Sequence, residues 1–548
     1  MKIVETSKSV FSLFMLLSLA VTNQTISAQS LAYYTKRGFD SGNTYWNPSE
    51  TILNVSNVNV GHFGKLWGHT LDGQAYAEPL YASNISIPGK GTHNVVYVCT
   101  EHNSVYAFDA DSATAPNDVP LWHVNFGASI PSAQVFSGDI SPEYGITATP
   151  VIDPATNAIY IESKTLENGF QVHRIHGLNL ANGLEKPDWG KPVIGSHRVF
   201  TGRYFYKLPF NPYIQHARSS LTTSANHLYV TFASHGDNYI GQYHGWVFAY
   251  SLSNPKLPPT AWSTSPDYSN NGESAGGIWM TGSPPAVDSW NNLYFITGNG
   301  PLNADIGGHN LGDSVVRLQT WGGATLSFGR NPSEYFSPNT QNYLDQVDAD
   351  FGSGGIMAPP PHQGSKTPNL LIGGGKDAVL RLINRDNMGG FSSRYFPGSP
   401  DNNLLNVPGI GSGIFSSPAY WGSDTGSFVY INGLYGPVVR CVLGLSFSGN
   451  STLTVVESTP QNTAYPSATP TISSSGGLVS SGVMWTLNSA TGALHAYNAS
   501  NVSLELYNSN MNFGADGLDA LTKFSVPTVA NGKVYVGTQN SIFAFGLH

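Results

Sequence analysis

The chain of 548 residues is poor in charge: Asp, Glu, Lys and Arg together make up 11%, against about a quarter in an average globular chain. Long amphipathic helices draw on Glu, Lys, Leu and Ala, so this shortage disfavours a helical protein. The net charge is −9, and phosphate binding needs a basic surface, which excludes a nucleic-acid partner. Cysteine is scarce too. Cys99 and Cys441 are the only two, each lies in a strand-like run, and buried thiols rather than a disulfide scaffold are expected. No Cys-x-x-Cys-His is present, so no attached c-type haem is expected. No His-x-x-x-His spacing, Gly-x-Ser-x-Gly elbow or Walker loop occurs, which disfavours zinc sites, serine hydrolases and P-loop enzymes. No apolar run reaches the ~20 residues of a membrane span.

Turn and strand formers are abundant: 60 Gly, 35 Pro, 28 Tyr and 11 Trp. They point to an all-β protein with many tight turns. At the N-terminus, Lys2 and Lys8 precede a short apolar run, Val10 to Val21, and small residues follow at Ser27 and Ala28. This pattern reads as a signal peptide over residues 1–28. It predicts a secreted protein, periplasmic if the source is Gram-negative. Sequons at Asn54, Asn84, Asn450, Asn498 and Asn501 are glycan sites if the route is eukaryotic.

A repeat governs the rest. Its clearest copy spans Thr92 to Gly127. Val95-Val96-Tyr97-Val98 reads as a buried strand, His102-Asn103 as a turn, Ser104 to Asp109 as a second strand and Leu121 to Val124 as a third. Glu78-Pro79-Leu80-Tyr81 opens an inner strand ahead of them. Such a four-stranded meander of about 50 residues is what one propeller blade requires. Seven further inner strands open at Thr149-Pro150, Ser220-Leu221, Pro285-Ala286, Met357-Ala358, Ser417-Pro418, Thr469-Pro470 and Val526-Pro527. The last unit stops after its third strand, Ser541 to Phe545. Its outer strand is available at the other end, Lys65 to Leu71, so the ring closes by joining the two ends of the chain and loses its sheet edges. An eight-bladed β-propeller over residues 63–548, preceded by an extended leader over 29–62, is predicted, and a monomer is expected. Two stacked β-sandwiches are the competing architecture, but nothing resembling a linker divides the chain.

The strand pairs Val534 to Phe545 and Val95 to Asp111 resemble the repeats of the quinoprotein propellers, the pyrroloquinoline quinone (PQQ) dehydrogenases and their non-catalytic relatives. Three stretches resemble the eight-bladed alcohol dehydrogenases of that family. Phe232 to Trp246 is similar to the segment whose serine meets the quinone and whose glutamate meets calcium; Ser234 and Asp237 match. Gly276-Gly277-Ile278-Trp279 and Leu293 to Pro301 resemble the parts carrying a tryptophan under the quinone and a calcium-binding asparagine; Trp279 and Asn299 match. Asp345 to Asp350 and Leu370 to Asp377 resemble the parts carrying the catalytic aspartate and a cation on the quinone oxygens; Asp350, with Asp348 as the alternative, and Lys376 match.

The resemblance implies PQQ and Ca²⁺ as cofactors and an alcohol or sugar as substrate. Asp237 and Asn299 are hard oxygen donors suited to Ca²⁺. Asp350 suits a general base, Lys376 the charge developing on a quinone oxygen, and Trp279 an aromatic face for a planar ring. The sequence departs from the family in lacking vicinal cysteines, in a shorter acid at Asp237, and in lacking a matching arginine near Ser141 to Tyr144. A non-catalytic secreted propeller that binds a protein or glycan is therefore the competing expectation, and an unrelated hydrolase or lyase in the same funnel is a third.

Overall fold

The computed structural model describes residues 33–135, 137–200, 205–236, 243–267, 274–323, 325–392 and 400–548. The signal-peptide segment expected over 1–28 lies outside them, as does Asp237. Among the described residues no helix is long and apolar enough to cross a membrane.

Eight sheets of at least four strands follow one another along the chain, each a meander from inner to outer edge. Blade 1 runs Leu80–Ile87, Gly91–Cys99, Ser104–Asp109 and Trp122–Asn125. The inner strands of blades 2 to 7 are Val151–Asp153, Thr222–Ser224, Ala286–Val287, Ile356–Met357, Ala419–Ser423 and Thr471–Ser473. Second strands such as VVYV are apolar at every position, because a blade is covered on both faces by its neighbours. Hairpins between first and second strands turn at Ala225-Asn226 and Asn531-Gly532, all four with positive φ. That backbone matches the right-handed twist of the flanking strands.

Blade 8 is built from both ends of the chain. Thr528–Ala530, Lys533–Gly537 and Ser541–Leu547 supply three strands, and Phe63–Thr70 supplies the outer one. Lys65 lies opposite Phe545 and Thr70 opposite Ser541.

The leader does more than lie on the ring. Residues 33–47 form a belt along the inner strands, meeting blades 1, 2 and 4 to 8 in turn. Tyr33 and Tyr34 pair with Ala82 and Tyr81 of blade 1. The amides of Ile152 in blade 2 and Val287 in blade 4 donate to the carbonyls of Thr35 and Ser41 at 2.7 Å. Ala358, Tyr420 and Ile472, in blades 5, 6 and 7, donate to Gly42, Thr44 and Tyr45 at 2.8 Å. The Asn47 amide then reaches the Val529 carbonyl of blade 8 at 2.9 Å. The inner edge of each blade would otherwise present unpaired backbone groups to the channel. Position 42 has to be glycine, since a Cβ there would stand 2.2 Å from the Ala358 oxygen.

Cys99 in blade 1 and Cys441 in blade 6 are free and buried. Burial pushes both thiols up, Cys441 to about 12, and a protonated thiol is a poor nucleophile. Neither should react with a maleimide or disulfide reagent until denaturant is added. Rapid stoichiometric labelling of the folded protein would contradict this placement.

Candidate functional site

In a four-stranded meander, the hairpin between strands two and three and the link from strand four to the next blade emerge at the same end. The residues singled out above fall on such segments. Asn299 follows the second strand of blade 4, Leu293–Ile296, and Lys376 follows that of blade 5, Leu370–Gly374. Trp279 and Asp350 lie on the links entering blades 4 and 5. The four side chains therefore meet in one cavity of about 840 Å³.

Asp350 is the centre of the arrangement. Its Oδ1 accepts the Asn299 backbone N–H at 2.9 Å, and its Oδ2 lies 2.5 Å from Lys376 Nζ. Lys376 also reaches Asp348 Oδ1 at 2.8 Å, and the Asn299 amide donates to that same oxygen at 2.8 Å. Burial works against the Lys376 charge. The Asp350 carboxylate and hydrogen bonds to Asp348 and Asp350 outweigh it and hold the ammonium above its ordinary range. Of the two acids, Asp350 is the enclosed one, its side chain 6% exposed against 68% for Asp348. Behind it, the Phe351 amide donates to Asp313 Oδ1 at 2.9 Å. Burial first, and then the Asp350 charge, raise Asp313 well above the carboxylate range.

Trp279 forms part of the wall beside these groups. Residue 298 has to be glycine, since a Cβ there would sit 2.7 Å from Asp350 Oδ1 and 3.0 Å from the indole. The backbone on either side of Trp279 is strained: Ala275 before it and Met280 and Thr281 after it have positive φ, and such residues persist only where the surroundings over-determine them. Asn299 Oδ1 is buried without a hydrogen-bond partner. A hard oxygen left over beside a carboxylate suits a hard cation. Among the described residues no three His, Cys, Asp or Glu side chains are gathered as a metal-holding group. A cation here would take Asn299 Oδ1, the Asp350 carboxylate and oxygens of the ligand itself.

Ser234 departs from expectation. It is fully buried, and its hydroxyl donates to the Gly236 carbonyl at 2.9 Å rather than facing the cavity. Its neighbour His235 lines the wall instead. The His235 Nε2 bonds Lys164 Nζ, while its Nδ1 has no partner. Burial, then the Lys164 charge, hold this imidazole well below its ordinary range. Lys164 is itself lowered to about 7 by burial, against the pull of Glu162. Arg218 and Lys523 also line the cavity, and sequence reasoning missed both. The available signal was Arg218 itself, a cation two residues ahead of the Ser220 strand opening in a chain with 25 Lys and Arg in all.

No family model matches the chain, and no curated protein matches it by sequence. Solved structures do match. The quinohemoprotein alcohol dehydrogenase from Comamonas testosteroni superposes with a TM-score of 0.56 at 14% identity, over 94% of this chain and 80% of that one. The fold is that of the quinoprotein alcohol dehydrogenases. A second quinohemoprotein alcohol dehydrogenase, from Pseudomonas putida HK5, gives 0.55 at 13% identity over the same shares. A europium-containing methanol dehydrogenase gives 0.54 at 11%, over 94% of this chain and 98% of that one. Identities this low establish the quinoprotein-type propeller and leave its activity to the site.

Proposed function

We propose that this quinoprotein-type propeller is an exported oxidoreductase that uses PQQ and Ca²⁺ to oxidise an alcohol or a sugar. The observation that carries the reading is the cluster of Asp350, Lys376 and Asn299, with its orphaned amide oxygen, on one cavity wall beside Trp279. The cofactor would be held by Asn299 and Asp350 through the cation, by Lys376 at its oxygens and by the face of Trp279; bound there, it supplies an electrophile that accepts hydride.

The chain's own residues do the rest. Asp350 takes the hydroxyl proton of the substrate on its carboxylate. Asn299 fixes that carboxylate through its backbone N–H. Lys376 stays charged and donates toward developing negative charge, and it keeps Asp348 as a counter-ion when Asp350 is protonated. Trp279, beside Gly298, offers an aromatic surface on the cavity wall next to Asp350.

The purified protein should reduce an artificial electron-accepting dye with an alcohol or sugar when PQQ and Ca²⁺ are supplied together, and not when either is omitted. Absence of dye reduction across primary alcohols, polyols and aldoses would contradict the catalytic part of the reading. A second reading, a propeller that binds a protein or glycan without catalysis, is favoured by the turned-away hydroxyl of Ser234 and by the lack of vicinal cysteines.

A further inference from the structure

Arg37 belongs to the N-terminal belt, yet its side chain reaches two residues of the cavity wall. It is buried, 2% exposed. Its Nη2 donates to the Thr281 carbonyl and to the Phe524 carbonyl, each at 3.0 Å. Its Nε donates to the hydroxyl of Tyr45, a fully buried residue of the same belt, at 3.3 Å. Thr281 lies on the link entering blade 4 and Phe524 on the link entering blade 8. Blades 4 and 8 face each other in a ring of eight, so one guanidinium is tied to both sides of the channel. Thr281 and Phe524 both line the cavity.

The two carbonyls share a backbone conformation. Thr281 has φ 53° and Phe524 has φ 63°, a left-handed region that residues with a Cβ occupy only when their surroundings impose it. A buried carbonyl also needs a donor. Arg37 supplies one to each from a planar, rigid fork. On the blade 4 side the turn is short. The Gly282 amide donates back to the Trp279 carbonyl at 3.2 Å, so the four residues that aim the Thr281 carbonyl at Arg37 also place Trp279. Gly282 sits against the fork, since a Cβ there would stand 3.0 Å from Arg37 Nη1. Asn47 makes a tie of the same kind elsewhere in the belt, to the Val529 carbonyl at 2.9 Å, with no cavity residue at its far end.

We propose that Arg37 is a positioning residue of the cavity, a strut from the N-terminal belt that fixes the turn carrying Trp279 against the opposite side of the ring. This goes beyond the oxidoreductase reading, and only the cofactor arm of its test rests on that reading.

Fluorine NMR reads the strut without any ligand. The full chain is labelled with 5-fluorotryptophan, and the Trp279 resonance is assigned by its loss in Trp279→Phe. Spectra and thermal melts are recorded for the wild type, Arg37→Met, Arg37→Lys and Asn47→Ala. Methionine removes the fork, and lysine keeps the charge but lacks a fork that spans both carbonyls. In Arg37→Met the Trp279 resonance should shift or split, while those of Trp262 and Trp485, buried in blades 3 and 7, stay in place. Arg37→Lys should return it part of the way. Asn47→Ala should melt earlier and leave Trp279 where the wild type has it. A folded Arg37→Met with an unchanged Trp279 resonance, or an equal shift in Asn47→Ala, would overturn the strut. If Arg37→Met does not fold, Arg37→Lys carries the test, because its Trp279 resonance must still differ from that of the wild type.

PQQ titrated with Ca²⁺ into the same proteins reads the consequence for binding. Affinity should fall about tenfold or more in Arg37→Met and less in Arg37→Lys. Where the wild type binds PQQ, an affinity unchanged in Arg37→Met would overturn the positioning role. A wild type that binds no PQQ would remove the oxidoreductase reading and leave the strut to stand on the fluorine spectra.

Discussion

Asp350→Asn is expected to lower kcat by about 10²–10⁴-fold, the contribution of a positioned general base. The substitution is isosteric. Its side-chain oxygen can still accept the Asn299 N–H now at 2.9 Å, and Lys376 keeps Asp348 at 2.8 Å, so the wall should hold its shape. What disappears is the ability to take a proton, together with the negative charge facing Lys376 and the cation, and saturating PQQ and Ca²⁺ offset the second loss. Asp348→Asn is the control, because that carboxylate is largely exposed and serves to hold Lys376 and Asn299. It should cost less than about tenfold, since it removes positioning and not the base. Dye-coupled kinetics at saturating PQQ and Ca²⁺ decide between the two acids. The reverse order of effects would move the base to Asp348, and two fully active variants would remove a carboxylate base from the mechanism.

Deleting residues 540–548 should prevent formation of a stable monomer. The segment contains the third strand of blade 8, Ser541–Leu547, which pairs with Lys533–Gly537 on one side and with Phe63–Thr70 on the other. Its loss separates the N-terminal strand from the C-terminal ones and exposes two sheet edges at once. Ile542, Ala544 and Phe545 are fully buried. Burying an Ile or a Phe is worth roughly 1.5–3 kcal/mol each, and a folded domain has only about 5–15 kcal/mol to lose. Light scattering after size exclusion, with a thermal melt, reads the result: aggregates or an early, broad transition. A truncated chain that remains monomeric and melts with the full-length protein would contradict closure through blade 8.

The fold was legible in the sequence because a blade writes itself into the chain locally. A small residue or Pro opens each inner strand, an apolar run follows, and a turn residue with access to positive φ ends the hairpin. Closure was legible because one unit lacked a strand at one end and one spare strand stood at the other. The role of residues 33–47 was not, because the groups that hold them are backbone amides scattered from Ile152 to Ile472 and carry no mark in the sequence. At the site, Trp279, Asn299, Asp350 and Lys376 could be picked out because their spacing followed a known pattern. Ser234 followed the same pattern, but the direction of its hydroxyl is a rotamer and depends on the Gly236 carbonyl beside it. Arg218 escaped because its place on the cavity wall depends on the Phe524 and Tyr76 rings around it, and that is not a sequence property.

The central claim is that this cavity holds PQQ through a cation at Asn299. The most direct measurement is a calorimetric titration of PQQ into the purified full chain, with Ca²⁺ and with Ca²⁺ removed by chelation, for the wild type and for Asn299→Ala. The account predicts stoichiometric binding at micromolar concentration or tighter with Ca²⁺. It predicts a loss of about tenfold or more when Ca²⁺ is removed, and a similar loss in Asn299→Ala that added Ca²⁺ does not restore. No binding to the wild type at micromolar PQQ with Ca²⁺ present, or binding indifferent to both Ca²⁺ and Asn299, would contradict it.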